Sequence, residues 1–176
     1  MTTSLVVTVV GPDRPGIVNE LSDVAQRLGA NWAGSRMANL AGQFAGMVHF
    51  EVPDDRAEAL AKALGALQSP QLHVVIAQSK AGAASAARRR VRLEIVGHDR
   101  PGIVRDLSGS LAQRGVSIEE LETHVASAAM SGESLFKVKA VLAVPGNLPD
   151  AELRRGLEAL ANEMMVDVEL GEPAGG

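Results

Sequence analysis

Hydrophobic residues along the first half of the chain fall into two periodicities. Residues 5–10 form an apolar, largely β-branched run of strand length that stops at Gly11-Pro12-Asp13. After Pro15, the residues Ile17, Val18, Leu21, Val24, Ala25 and Leu28 recur at helical spacing, and Gly29 stands where a left-handed C-terminal cap belongs. A second strand over residues 31–40 turns at Ala41-Gly42 into a third. The third strand places Phe44, Gly46, Val48, Phe50 and Val52 on one face and Met47, His49 and Glu51 on the other. Ala57, Leu60, Leu64 and Leu67 mark a second helix, and residues 72–77 a closing strand.

The same succession then returns. Gly11-Pro12-Asp13-Arg14-Pro15-Gly16 recurs 86 positions later as Gly97-His98-Asp99-Arg100-Pro101-Gly102, with Leu21 matched by Leu107 and Gly29 by Gly115. Past residue 126 the register shifts by six, so that Phe44 and Val52 correspond to Phe136 and Val144. The extra residues, around 126–133, are small and polar and suit a longer hairpin tip. Each copy reads βαββαβ. This predicts an α+β protein of two ferredoxin-like domains, each a four-stranded antiparallel sheet with two helices on one face. The expected boundaries are a first domain over 1–78, a linker over 79–90, a second domain over 91–170 and a flexible tail over 171–176. Arg88-Arg89-Arg90 closes that linker and reads as a solvated charge run.

Composition narrows the function classes. Of 176 residues, 46% are apolar and only 2% aromatic, so the cores are aliphatic and little remains to stack on a base. With 17 Lys and Arg against 21 Asp and Glu, the chain lacks the basic excess that direct nucleic-acid binding requires. Cysteine is absent, and the four histidines show no metal-ligand spacing, so neither a metal nor a cofactor is expected. The first residues carry no basic stretch ahead of the apolar run, and no apolar run reaches membrane-spanning length. A cytoplasmic location with no membrane contact is the expectation.

A βαββαβ unit whose first strand runs into Gly-x-Asp-Arg-Pro-Gly-Ile-Val resembles the ACT domain, a small regulatory module that binds amino acids. Tandem copies without an attached catalytic domain are similar to the repressor-like ACT proteins of glycine cleavage. That resemblance implies a non-catalytic regulator with a small amino acid effector, glycine foremost, acting through a protein partner such as a LysR-type transcriptional activator. Each domain is also small enough that the two are expected to pack on each other or on a second chain, and a homodimer is expected. The resemblance further implies a ligand site between the first loop and helix of one domain and a facing domain. An Asn just after the first helix would contact the ligand; it maps to Asn31, whereas the second copy has Ser117. Some amino-acid-binding members carry His two residues before the Asp, where this chain has Gly11 and Gly97.

The chemistry of such a turn is simple. A helix start offers unpaired N–H groups and the positive end of the macrodipole to a carboxylate, and glycine allows close approach. A neighbouring Asp can accept hydrogen bonds from an α-ammonium. The candidate ligand contacts are Asp13, Arg14, Pro15, Gly16, Ile17 and Asn31, with Asp99, Arg100, Pro101, Gly102 and Ile103 in the second copy. The same residues also have purely structural uses: Asp13 as helix cap, Pro15 as first helical residue, Arg14 in solvent. Trp32 either lines a pocket or covers the core edge. Two further readings stand beside the sensor: a ligand-free interaction module and a small enzyme, for which no base or nucleophile is placed near the Asp-Arg turns.

Overall fold

The computed structural model describes residues 1–79, 88–127 and 134–172. The opening apolar run becomes β1 (Thr2–Pro12), in which Leu5, Val7 and Val9 point to one side and are fully buried. Helix α1 (Ile17–Arg27) buries Ile17, Leu21, Val24 and Ala25, the stripe that its spacing anticipates. Gly29, at φ 68°, ends it in the left-handed conformation. β2 (Asn31–Leu40) and β3 (Gln43–Pro53) form a hairpin around Ala41-Gly42, and a single 3₁₀ turn leads into α2 (Ala57–Gly65) and then β4 (His73–Ser79). The second copy repeats this as β5 (Arg88–His98), α3 (Ile103–Gln113), β6 (Ser117–Ser127), β7 (Ser134–Pro145), α4 (Asp150–Met164) and β8 (Val166–Gly171).

Both sheets are antiparallel between neighbours, in the orders β2-β3-β1-β4 and β6-β7-β5-β8. β1 and β2 are therefore parallel strands split by β3, the arrangement anticipated from the element order. Val48, Phe50 and Val52 of β3 meet Leu60 and Leu64 of α2 and Leu21 of α1 in one core, with Leu93, Leu107, Leu142, Leu153 and Leu157 in the corresponding places of the other. Each such side chain contributes about 1.5–3 kcal/mol on burial, so the aliphatic content suffices without rings. Trp32 settles on the core edge, its ring 5.2 Å from that of Phe50 in a T-shaped contact. The chain divides near residue 83 into two units, each with its own core.

Three expectations change. Arg88, Arg89 and Arg90 are not linker: they begin β5 and pair with Pro145, Val144 and Ala143 of β7. The strand accommodates the charge run because each guanidinium finds a partner. Arg88 donates to Ser117 Oγ at 2.8 Å, Arg89 to the Leu148 carbonyl at 2.8 Å, and Arg90 bridges Glu119 and Glu120. Strand ends also reach beyond the apolar runs, with Ser79 level with Ser4 and Gly171 level with Arg92. Pro15 is not the first helical residue, because Gly16 intervenes at φ 97°. Pro followed by a left-handed Gly is the pairing of a type II turn, which reverses the chain before the helix starts. The expected linker over 80–87, the tail over 173–176 and the hairpin tip over 128–133 lie outside the described residues.

Candidate functional site

The two Asp-Arg-Pro-Gly turns share one backbone. Gly16 and Gly102 both sit at φ 97°, and the first helical hydrogen bonds run from Glu20 N–H to the Gly16 carbonyl and from Asp106 N–H to the Gly102 carbonyl, each 2.9 Å. No side chain among the described residues caps either helix. The amides of Ile17, Val18 and Asn19, and of Ile103, Val104 and Arg105, precede those bonds and are unused by the helix. Ile17 and Ile103 are themselves buried, so only their backbone is available to a ligand.

Each loop is anchored on its hairpin. Asp13 N–H donates to the Gly42 carbonyl at 3.0 Å and Asp99 N–H to that of Ser134 at 2.9 Å. The side chains then diverge. Asn39 Nδ2 donates to Asp13 Oδ2 at 2.6 Å, so Asp13 is tied to the β2–β3 hairpin rather than capping α1. The other carboxylate oxygen of Asp13 has no partner among the described residues. Asn39 lies level with Phe44, and Val125 with Phe136, so the second copy has Val125 where the first has this amide.

Arg14 is not simply solvated. Its Nη1 and Nη2 donate to Glu20 Oε1 and Oε2 at 2.7 and 2.8 Å. The hydrogen bonds to Arg14 hold the Glu20 carboxyl below its ordinary range, and Glu20 raises Arg14 in return. In the second copy the acid is Asp106, one methylene shorter, and no ion pair joins it to Arg100 among the described residues. The first turn therefore offers a ligand one carboxylate and a set of backbone amides, with its guanidinium already committed.

Asn31 does not join this group within its own domain. It lies level with Glu51 on β3, which lies level with Ser4 on β1, while Asp13 follows Pro12 at the other end. Pro12 lies eight steps along the strand from Ser4, roughly 26 Å at about 3.3 Å per residue. No single domain presents Asp13 and Asn31 to one molecule of amino-acid size. Ser117, the counterpart of Asn31, spends its hydroxyl on Arg88. The glycines at 11 and 97 also have a steric cause: a Cβ at Gly11 would meet the Gln71 carbonyl oxygen at 2.1 Å, and one at Gly97 would meet Val166 Cγ1 at 2.3 Å. A histidine there is excluded by the neighbouring chain. A groove of about 540 Å³ between α3 and α4, lined by Arg105, Gln113, Arg114 and Glu163 among others, includes none of Asp13, Asn31, Asp99 or Gly102.

Sequence reasoning missed Asn39 and Glu20. Glu20 lies six residues from Arg14, an offset that becomes a contact only because the Pro15-Gly16 turn folds the loop back on the helix. Asn39 is 26 residues from Asp13, and its one sequence-level signal is its place beside the Ala41-Gly42 turn.

The family model of the ACT domain matches residues 3–75 and again 90–171. A crystal structure of an unknown protein from Galdieria sulphuraria is 32% identical, with 99% of this chain and 100% of that one covered and a TM-score of 0.86. A protein proposed to be a glycine cleavage system transcriptional repressor has the same fold at 22% identity and a TM-score of 0.69, over 97% of each chain. Among curated proteins none matches. The chain belongs to the ACT-domain family and carries two copies of the domain in tandem.

Proposed function

We propose that this protein is a non-catalytic cytoplasmic regulator whose first domain senses a small amino acid, glycine foremost. The observation that supports it best is the first turn: uncapped α1 amides beside an Asp13 carboxylate that Asn39 orients and that keeps one oxygen free. The ligand carboxylate takes the amides, where the helix dipole favours negative charge, and its α-ammonium takes Asp13. Glycine is favoured because the turn supplies close backbone and no aromatic wall. Asn31 contributes only where a second copy of the chain brings it to the turn, which is consistent with a homodimer. Occupancy biases the chain between arrangements of different affinity for a protein partner, with coupling of the usual ~1–3 kcal/mol.

The partner we propose is a LysR-type activator, in keeping with the likeness to a protein proposed to be a glycine cleavage repressor. Control of transcription would then pass through that protein, since a net charge of −4 leaves the chain without the basic excess that holds a phosphate backbone. The second domain supports a different reading, an interaction module without ligand, because Asp99 lacks the amide partner and Ser117 is engaged by Arg88. A thermal-shift panel of small amino acids on the full chain tests the sensor. Stabilisation by glycine or a close analogue is expected, and no stabilisation by any of them at millimolar concentration overturns it.

A further inference from the structure

An antiparallel sheet with helices on one face normally turns polar residues to water on the other. The second domain obeys this rule. Its open face carries Arg92 and Glu94 on β5, Lys137 and Lys139 on β7, and Glu169 on β8. The first domain departs from it at the middle of the sheet. Residues level with those positions by strand register are Val6, Thr8, Ala45, Met47 and Val75. Val10 is 40% exposed, Met47 51% and Val75 63%, on one continuous surface across β4, β1 and β3. Because both domains have one fold, folding does not require Val6, Met47 and Val75 to be apolar.

We infer that the open sheet face of the first domain is the surface on which two copies of this chain pair, face to face. The inference rests on the dimeric reading above. Three properties select a second copy as occupant. The formal charges on this face among the described residues are Arg36, level with Met47, and Glu51, of opposite sign, so the face does not repel itself. One polar pair that burial would strip of water is already partnered, His49 Nε2 and Ser4 Oγ standing 3.1 Å apart. Four strands about 4.8 Å apart and some ten residues long at about 3.3 Å give roughly 600 Å² of flat face, near the ~800 Å² per partner of a standard interface once side-chain relief is counted. Small residues (Ala38, Ala45, Ala77) alternate with Met47 and Val75, a relief that two sheets interdigitate across at about 10 Å.

The test replaces Met47 and Val75 by the residues that the second domain carries at the same places, Met47→Lys with Val75→Glu, and follows sedimentation of the full chain. A dimer at tens of micromolar is expected for the parent and a dissociation constant weakened at least ~100-fold for the variant, with unchanged circular dichroism. A parent dimer that the double variant leaves intact overturns the assignment of this face while the dimeric reading survives. A parent that is monomeric at about 100 μM overturns both and leaves the face to a different protein. Should the variant fail to fold, Thr8→Cys supplies the only cysteine and a single spin label. Face-to-face pairing brings two labels within about 30 Å, and an absence of that short distance in a dimeric sample overturns the inference.

Discussion

Asn39 donates a 2.6 Å hydrogen bond to Asp13, and through it the β2–β3 hairpin fixes the one carboxylate of the first turn. Val125 replaces that amide in the second copy, so nature supplies the control substitution. Asn39→Val is expected to leave the fold intact and to weaken amino acid binding about fivefold to tenfold, the worth of one exposed charge-assisted hydrogen bond that orients a ligand contact. Calorimetry on the variant checks it. An unchanged affinity would mean that Asp13 needs no positioning.

Gly16→Ala separates backbone strain from packing. A Cβ there would come no closer than 3.9 Å to any neighbour, so space is available and the penalty is the positive φ alone. A loss of about 1–2 kcal/mol is expected in urea unfolding followed by the fluorescence of Trp32, the single Trp. Gly11→Ala meets the Gln71 carbonyl at 2.1 Å and is expected to cost more than Gly16→Ala in the same assay.

The core prediction uses the same probe. Leu60 is fully buried beside the sheet in the cluster that also holds Phe50, on which Trp32 rests. Leu60→Ala is expected to lower the stability reported by Trp32 by about 2–5 kcal/mol, the range for deleting a buried leucine.

Glu20 gives a pH signature. Its folded carboxyl lies below the ordinary range because Arg14 hydrogen-bonds to it. A depressed acid stabilises the fold above its unfolded pKa, and that contribution disappears as pH falls through the folded value. The pair is exposed, so the effect is small and screened. The stability difference between the parent and Glu20→Gln is expected to be present at neutral pH and to vanish both in acid and in molar salt. A difference that persists in acid would show that something other than this ion pair changed.

Much of the architecture could be read from local pattern. The repeat, the helical stripe of Ile17 to Leu28 and the hairpin at Ala41-Gly42 are written in residue periodicity and turn chemistry, which act over a few positions. The missed features depend on chain segments brought together from afar. Arg88 to Arg90 extend a strand because β7 and the acids of β6 lie alongside, and Asp13 meets Asn39 only once the sheet has formed. Asn31 is the instructive case: near the turn in sequence, it lies at the opposite end of the sheet from Asp13 because β2 runs parallel to β1 and starts level with β1's beginning. The polarity contrast between the two open sheet faces likewise appears only when strand register aligns the copies.

The central claim is that the first turn holds a small amino acid through Asp13, and calorimetric titration of glycine into the full chain tests it most directly. The account expects one site per chain with a dissociation constant below about 1 mM, lost by at least ~30-fold in Asp13→Asn and unchanged in Asp99→Asn. Binding that survives Asp13→Asn unchanged, or no binding of glycine or its small analogues by the parent, would contradict it.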